Sequence, residues 1–150
     1  LAKHYAQHKP KFDMIFIAFS GEDANLRGST YFVEHPTVPL ENIKYLFNLD
    51  MIGDNNPIQY CEVSEQGMAG FNKMEAINAQ KHYFQSLNRG ELAGNSDHYP
   101  FAVKGVPCIL FENEEGDAFQ YYHTANDNVK HFYLETYELL FKLITEFVSL

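Results

Sequence analysis

The sequence predicts an α/β fold, a three-layer α/β/α sandwich around a mostly parallel mixed sheet. Short, strongly apolar runs alternate with helical segments, and the last helix carries a clear apolar stripe. No repeat, low-complexity tract or internal linker divides the chain, so residues 1–150 read as one domain or part of one. A chain of that length can bury roughly 70% of its unfolded surface, which leaves room for a sizeable core.

Leu1 to Gln7 reads as a helix ended by Pro10, with His4 and His8 on it and expected to face solvent. Met14-Ile15-Phe16-Ile17-Ala18-Phe19 is apolar without alternation, the pattern of a central strand covered on both faces. Ser20-Gly21 breaks it, and Leu26 to Glu34 follows as a helix that stops before Pro36, completing a βα unit. Ile43 to Leu49 is the next strand, closed by Asp50-Met51-Ile52-Gly53-Asp54. After an Asn55-Asn56-Pro57 turn comes a strand from Ile58 to Val63. Met68 to Leu87 is read as helix, with Gly90 and Gly94 in the loop beyond. Ser96-Asp97 is read as the cap of a helix from His98 to Lys104, and Val106 to Phe111 as the fourth strand. In the last helix Tyr133, Tyr137, Leu140, Phe141, Ile144 and Val148 recur at three- and four-residue steps behind caps at Asn126 to Asn128.

The formal charge of -9, without a cluster of Lys and Arg, argues against nucleic acid or anionic lipid as a partner. No stretch approaches the roughly 20 apolar residues a membrane span needs. Cys61 and Cys108 lie far apart, and Cys108 in its apolar run is read as a buried free thiol.

Ligands of open α/β sheets bind at the carboxyl ends of the strands, and three of the four runs end in a metal-competent side chain. Ser20-Gly21-Glu22-Asp23 follows Phe19, Asp50 follows Leu49, and beyond Phe111 a loop leads to Tyr122-His123-Thr124. Carboxylates and imidazole suit zinc in a hydrolytic site. Each also has a plainer explanation. Glu22 and Asp23 could serve a helix N-terminus, Asp50 a turn, and His123 is one of seven histidines. Spacing alone reaches only an acidic cleft. The acidic run Glu112, Glu114, Glu115 and Asp117 could greet a substrate amine or be a solvated loop.

The motifs in series are more specific. Ser20-Gly21-Glu22-Asp23 with Leu26-Arg27-Gly28-Ser29, Asn48-Leu49-Asp50-Met51, Asn95-Ser96-Asp97-His98-Tyr99-Pro100-Phe101, Gly105-Val106-Pro107 and Tyr122-His123-Thr124 together resemble metallopeptidase family twenty-eight, the di-zinc aminopeptidases. The resemblance runs from about Phe12 to the last helix. It implies a zinc-dependent exopeptidase acting on the amino end of a peptide substrate. Glu22 would be the general base and Tyr122 a hydrogen-bond donor to the oxyanion. Asp23 and His123 would bind one zinc and Asp50 the other, with Asp97 and Asp127 supporting them or capping helices.

Asp23 stands where the family has Glu, about 1.5 Å shorter in reach. The family's first ligand histidine and its bridging aspartate lie on strands ahead of the helix with which these residues begin. The resemblance therefore implies missing amino-terminal strands, and a weak metal site and little activity for these residues alone. Glutaminyl cyclisation, or a non-catalytic binding domain, are the alternatives on the same scaffold. Relatives are commonly exported, which implies an envelope, periplasmic or extracellular location.

Overall fold

Backbone pairing builds one mixed sheet from β1 (Leu46–Leu49), β2 (Ile58–Val63), β3 (Ser86–Gly90) and β4 (Cys108–Glu112), in the order β1-β4-β2-β3. This is seen in a computed structural model that describes the chain apart from residues 54, 55, 57, 114–118 and 132. β1 runs parallel to β4, β2 parallel to β3, and β2 antiparallel to β4. The helices are α1 (Ala2–Gln7), α2 (Arg27–Glu34), α3 (Met68–Lys81), α4 (Tyr99–Val103) and α5 (Glu135–Ser149).

The pleat sends successive side chains to opposite faces, which divides the core in two. Ile109 and Phe111 of β4, with Cys61 and Val63 of β2, pack against Phe71, Met74 and Ile77 of α3 and Leu140, Leu143 and Ile144 of α5. Val33 of α2, Phe101 of α4 and Val106 form the core of the other face, joined by the half-buried Leu46 of β1. β1 shows the alternation directly, since its next residue, Phe47, packs on the α3/α5 side. Helices on both faces of a mixed sheet make the predicted three-layer sandwich.

β4 is buried along its whole length, as the unalternating sequence Cys-Ile-Leu-Phe-Glu requires of a strand flanked on both edges. Each large apolar side chain buried there contributes about 1.5–3 kcal/mol. Both cysteines are buried free thiols, and burial pushes their pKa values up. Gly67 sits where a Cβ would come within 2.5 Å of the Cys108 carbonyl oxygen, so only glycine lets the turn after β2 lie against β4.

Four expectations are corrected. Residues 14–19 are not a central strand. The segment joins no ladder among the described residues, and Ile15, Phe16 and Ile17 are 53%, 49% and 43% exposed. An open apolar cleft of about 1310 Å³, lined from both sides by residues such as Phe16, Phe19, Leu46 and Phe47, lies at β1 and this segment. An apolar run signals a need for cover, and no described strand pairs with this one.

The expected helix over Met68–Leu87 stops at Lys81. His82 takes a left-handed conformation at φ 55°, and the Asn78 side chain holds the turn by accepting from Phe84 N at 2.8 Å and donating to Phe84 O at 3.0 Å. The chain then forms β3, a strand in which only Leu87 is buried, so its sequence carries no alternating apolar signal.

Ser96-Asp97 does not cap α4. His98 occupies that position without a side-chain bond, because the Ser96 hydroxyl is engaged elsewhere. Nor do Asn126 to Asn128 cap α5, which starts after Leu134. Asn128 Oδ1 instead accepts from Lys130 N at 3.1 Å in a short 3-10 turn. The Asn55-Asn56-Pro57 turn involves residues outside those described.

Candidate active site

The parallel ladder of β1 and β4 sets their carboxyl ends side by side and continues through Asp50 N to Phe111 O at 3.1 Å. Asp50 therefore leaves the sheet at this edge. Met51 behind it adopts φ 51°, a left-handed turn that re-aims the chain away from the sheet.

Segment 14–19 brings its own acids to the same edge through a tightly bonded loop. Gly21, at φ 70°, accepts from Ala24 N at 3.2 Å and Arg27 N at 3.0 Å, while Leu26 N reaches Glu22 O at 2.9 Å. Gly28 N bonds Ser20 O at 2.9 Å, and a Cβ on Gly28 would lie 2.5 Å from that oxygen. The first turn of α2 is thus pressed onto Ser20, which fixes the loop that presents Glu22 and Asp23.

Neighbouring charges act on two of the side chains at this edge. Glu22 has its pKa raised, first by desolvation and then by the charges of Asp50, Asp23 and Asp97. Tyr122 is raised by the same order of causes, desolvation and then Glu22, Asp50, Asp23 and Glu112. His123 Nε2 stands 3.3 Å from Asp23 Oδ1, with both side chains largely exposed. The His123 ring stacks on Tyr122 at 3.9 Å between centroids, and its backbone sits at φ 56°. Non-glycine residues held at positive φ cost roughly 1–3 kcal/mol each and cluster at functional sites. Here Leu26, Met51 and His123 all flank the acidic edge.

Glu22, Asp23, Asp50, Asp97, Tyr122 and His123 are therefore brought together. Asp127 is exposed, and its backbone amide donates to Thr124 O at 3.1 Å. Of the acidic run, Glu112 is buried at the end of β4, and Glu114, Glu115 and Asp117 lie outside the described residues. His8 is exposed as expected, but His4 is half-buried, with its ring edge-on to Phe141.

Two arrangements escaped the sequence reading. Asn48 Nδ2 donates to Ser96 Oγ at 2.7 Å, and Ser96 Oγ donates to Asp50 Oδ2 at 2.7 Å, a relay that fixes the Asp50 carboxylate. The period-2 spacing of Asn48 and Asp50 at a strand end was the available signal. Deeper in, Glu62 Oε2 lies 3.2 Å from His98 Nε2 and accepts from Ala93 N at 2.7 Å, with Glu62 and His98 both buried. A glutamate inside an apolar strand was its signal.

The donor set suits a cation in kind. Among the described residues Asp97 Oδ1 is sealed from solvent without a hydrogen-bond partner, a costly state that a positive charge would relieve. The 3.3 Å between His123 and Asp23 matches the roughly 3.3 Å that two ligands keep on one tetrahedral zinc with bonds of about 2.0–2.1 Å. Among the described residues, no three His, Cys, Asp or Glu side chains converge as a complete ligand set.

Carboxylates, an imidazole and a phenol thus lie at one edge of a mixed α/β sandwich. The sequence profile described as Peptidase family M28 matches residues 1–148, and the chain belongs to that family. It is 30% identical over 141 residues to Aminopeptidase YwaD of Bacillus subtilis, covering 87% of this chain and 30% of that protein. The chain thus spans less than a third of that relative's length. Among solved structures, it resembles a leucine aminopeptidase precursor from Bacteroides thetaiotaomicron at a TM-score of 0.73 and 22% identity, covering 99% of this chain and 57% of that one. A glutaminyl cyclase from the same organism gives 0.72 and 23%, with the same coverages. At such identities the two structures speak for the fold alone.

Proposed function

We propose that the protein carrying this chain is an aminopeptidase, which removes the first residue of a peptide at the edge where Glu22, Asp23, Asp50 and His123 meet. The observation that carries the reading is the 3.3 Å pairing of His123 with Asp23, together with the raised pKa of Glu22, caused by burial and by the charges of Asp50, Asp23 and Asp97.

Glu22 is the general base, taking a proton from the attacking water and returning it to the leaving amine. Its raised pKa suits that exchange, since it holds a proton more readily than an ordinary carboxyl. Tyr122 donates a hydrogen bond to the oxyanion, and the phenol's raised pKa keeps it protonated for that role. Asp23 and His123 would hold one zinc ion and Asp50 a second, with Ser96 fixing Asp50 and Asp97 supporting the site. Bound zinc would supply a Lewis acid that polarises the scissile carbonyl and acidifies water. Asp127 is assigned an outer, structural part. The described residues bring no three His, Cys, Asp or Glu side chains together as a metal site, and these residues alone are expected to bind metal weakly and to turn over little substrate. An exported setting, outside the cytoplasm, completes the reading.

Glutaminyl cyclisation is the second reading, since the same fold also carries the Bacteroides cyclase. Assay of the full-length protein against aminoacyl p-nitroanilides and glutaminyl peptides, with and without chelator, separates the two. Release of p-nitroaniline that is lost on chelation is expected. Cyclisation without release would favour the second reading, and neither activity would remove both.

A further inference from the structure

Across the α4 face of the sheet, Asn48 of β1 and Glu62 of β2 stand on either side of the same residue, Leu110 of β4. Directly paired residues share a face, so the three form one row, polar at both ends and apolar in the middle. Both polar ends grip the same stretch of chain. Asn48 donates to Ser96 Oγ at 2.7 Å. Glu62 Oε2 accepts from Ala93 N at 2.7 Å and pairs with His98 Nε2 at 3.2 Å. Ala93 and His98 bracket Gly94, Asn95, Ser96 and Asp97, so a single carboxylate oxygen pins both ends of the loop that carries Ser96 and Asp97 to the acidic edge.

We infer that Glu62, acting through His98 and the Ala93 amide, is a positioning residue for Ser96 and Asp97, and through Ser96 for Asp50. Burial makes the staple stiff. His98 is fully enclosed and Glu62 nearly so, and bonds to a charged group in a dry setting are stronger and shorter-ranged in their freedom than those at the surface. A glutamate placed only for stability would be a poor choice here, because an enclosed carboxylate costs desolvation that a leucine beside Leu110 would not. The position makes sense if the loop must be held at a fixed height above the sheet. The other contacts of the loop point the same way, with Tyr99 N bonding Ser96 O at 3.0 Å and Cys108 Sγ donating to His98 O at 3.8 Å.

The inference rests on the aminopeptidase reading for its kinetic consequence but not for its structural one. The test therefore has two arms on the full-length protein, comparing Glu62→Leu, Glu62→Gln and the distant core variant Ile77→Ala. Glu62→Leu is expected to lower kcat on an aminoacyl p-nitroanilide by about 10- to 100-fold, the usual size for outer-shell partners, with KM little changed. Glu62→Gln keeps one oxygen able to accept from both Ala93 N and His98 Nε2, and is expected to retain most of kcat. Ile77→Ala lowers Tm but leaves kcat unchanged. In the second arm, hydrogen exchange of residues 92–99 accelerates in Glu62→Leu and not in Ile77→Ala. His98→Leu, which leaves Ala93 held, is the milder variant if Glu62→Leu does not fold, and is expected to accelerate exchange at the Ser96 end alone. Unchanged kcat in Glu62→Leu, a Glu62→Gln variant as damaged as Glu62→Leu, or unaltered exchange in the loop overturns the inference. If the unmodified protein cleaves no aminoacyl substrate, the aminopeptidase reading fails, and the exchange arm alone decides the staple.

Discussion

β4 and segment 14–19 carry nearly the same kind of sequence, yet the first is buried at every position while the second exposes three of its large apolar side chains by 43% or more. β4 has β1 on one edge, β2 on the other, and helices over both faces. Segment 14–19 has no ladder partner among the described residues and borders an open cleft. An apolar run states how much cover it wants, and what supplies the cover is decided elsewhere in the chain. The difference matters for function because both regions feed the same edge: β4 through its parallel pairing with β1 and Asp50, segment 14–19 through the loop that presents Glu22 and Asp23.

The contrast can be broken at its buried end first. Phe111→Ala is expected to cost about 3–5 kcal/mol, because a fully enclosed ring leaves both its transfer energy and a cavity behind. Urea unfolding of the chain reads this directly, and a loss under 1 kcal/mol would mean that β4 is not the packed centre described. Phe16→Ser makes a chemically similar removal in the exposed run and is expected to stay within about 0.5 kcal/mol, as surface changes do. A cost near that of Phe111→Ala would show that the segment is covered in solution.

The smallest effect expected concerns the acid that follows the segment. Because the folded chain raises the pKa of Glu22, it holds that proton more tightly than the unfolded chain does. The associated stability is present below the ordinary value of 4.5 and is lost as pH rises through the raised one. Glu22→Gln, which cannot ionise, is therefore expected to raise the Tm of the metal-free chain at pH 7 and to leave it unchanged below pH 4.5. A Tm difference that does not vary with pH would argue against the clustering of Glu22 with Asp50, Asp23 and Asp97.

The sandwich was legible because α2, α5, β1, β2 and β4 each carry a period or an apolar run strong enough to stand alone. β3 was not, since an edge strand with one buried side chain has no pattern to read, and the left-handed His82 that frees it from α3 is a backbone event. The acids and imidazole of the site were legible as residues following strands. Their supports were not: Ser96 looked like a helix cap because Ser-Asp before a helix is the usual capping signal, and only the folded chain reveals that its hydroxyl turns to Asp50 instead. Glu62 could be flagged as an odd charge in a strand, but Ala93 and His98 become its partners only through the loop that returns over the sheet.

The two enclosed cysteines give the molecule a property unrelated to any chemistry at the acidic edge. Cys61 and Cys108 face opposite sides of the sheet, are sealed from solvent, and are kept as thiols by burial, so an alkylating reagent reaches them only when the strands part. Their labelling rates thus act as paired clocks, one on each side of the sheet, reporting whether the two cores come open together or in turn.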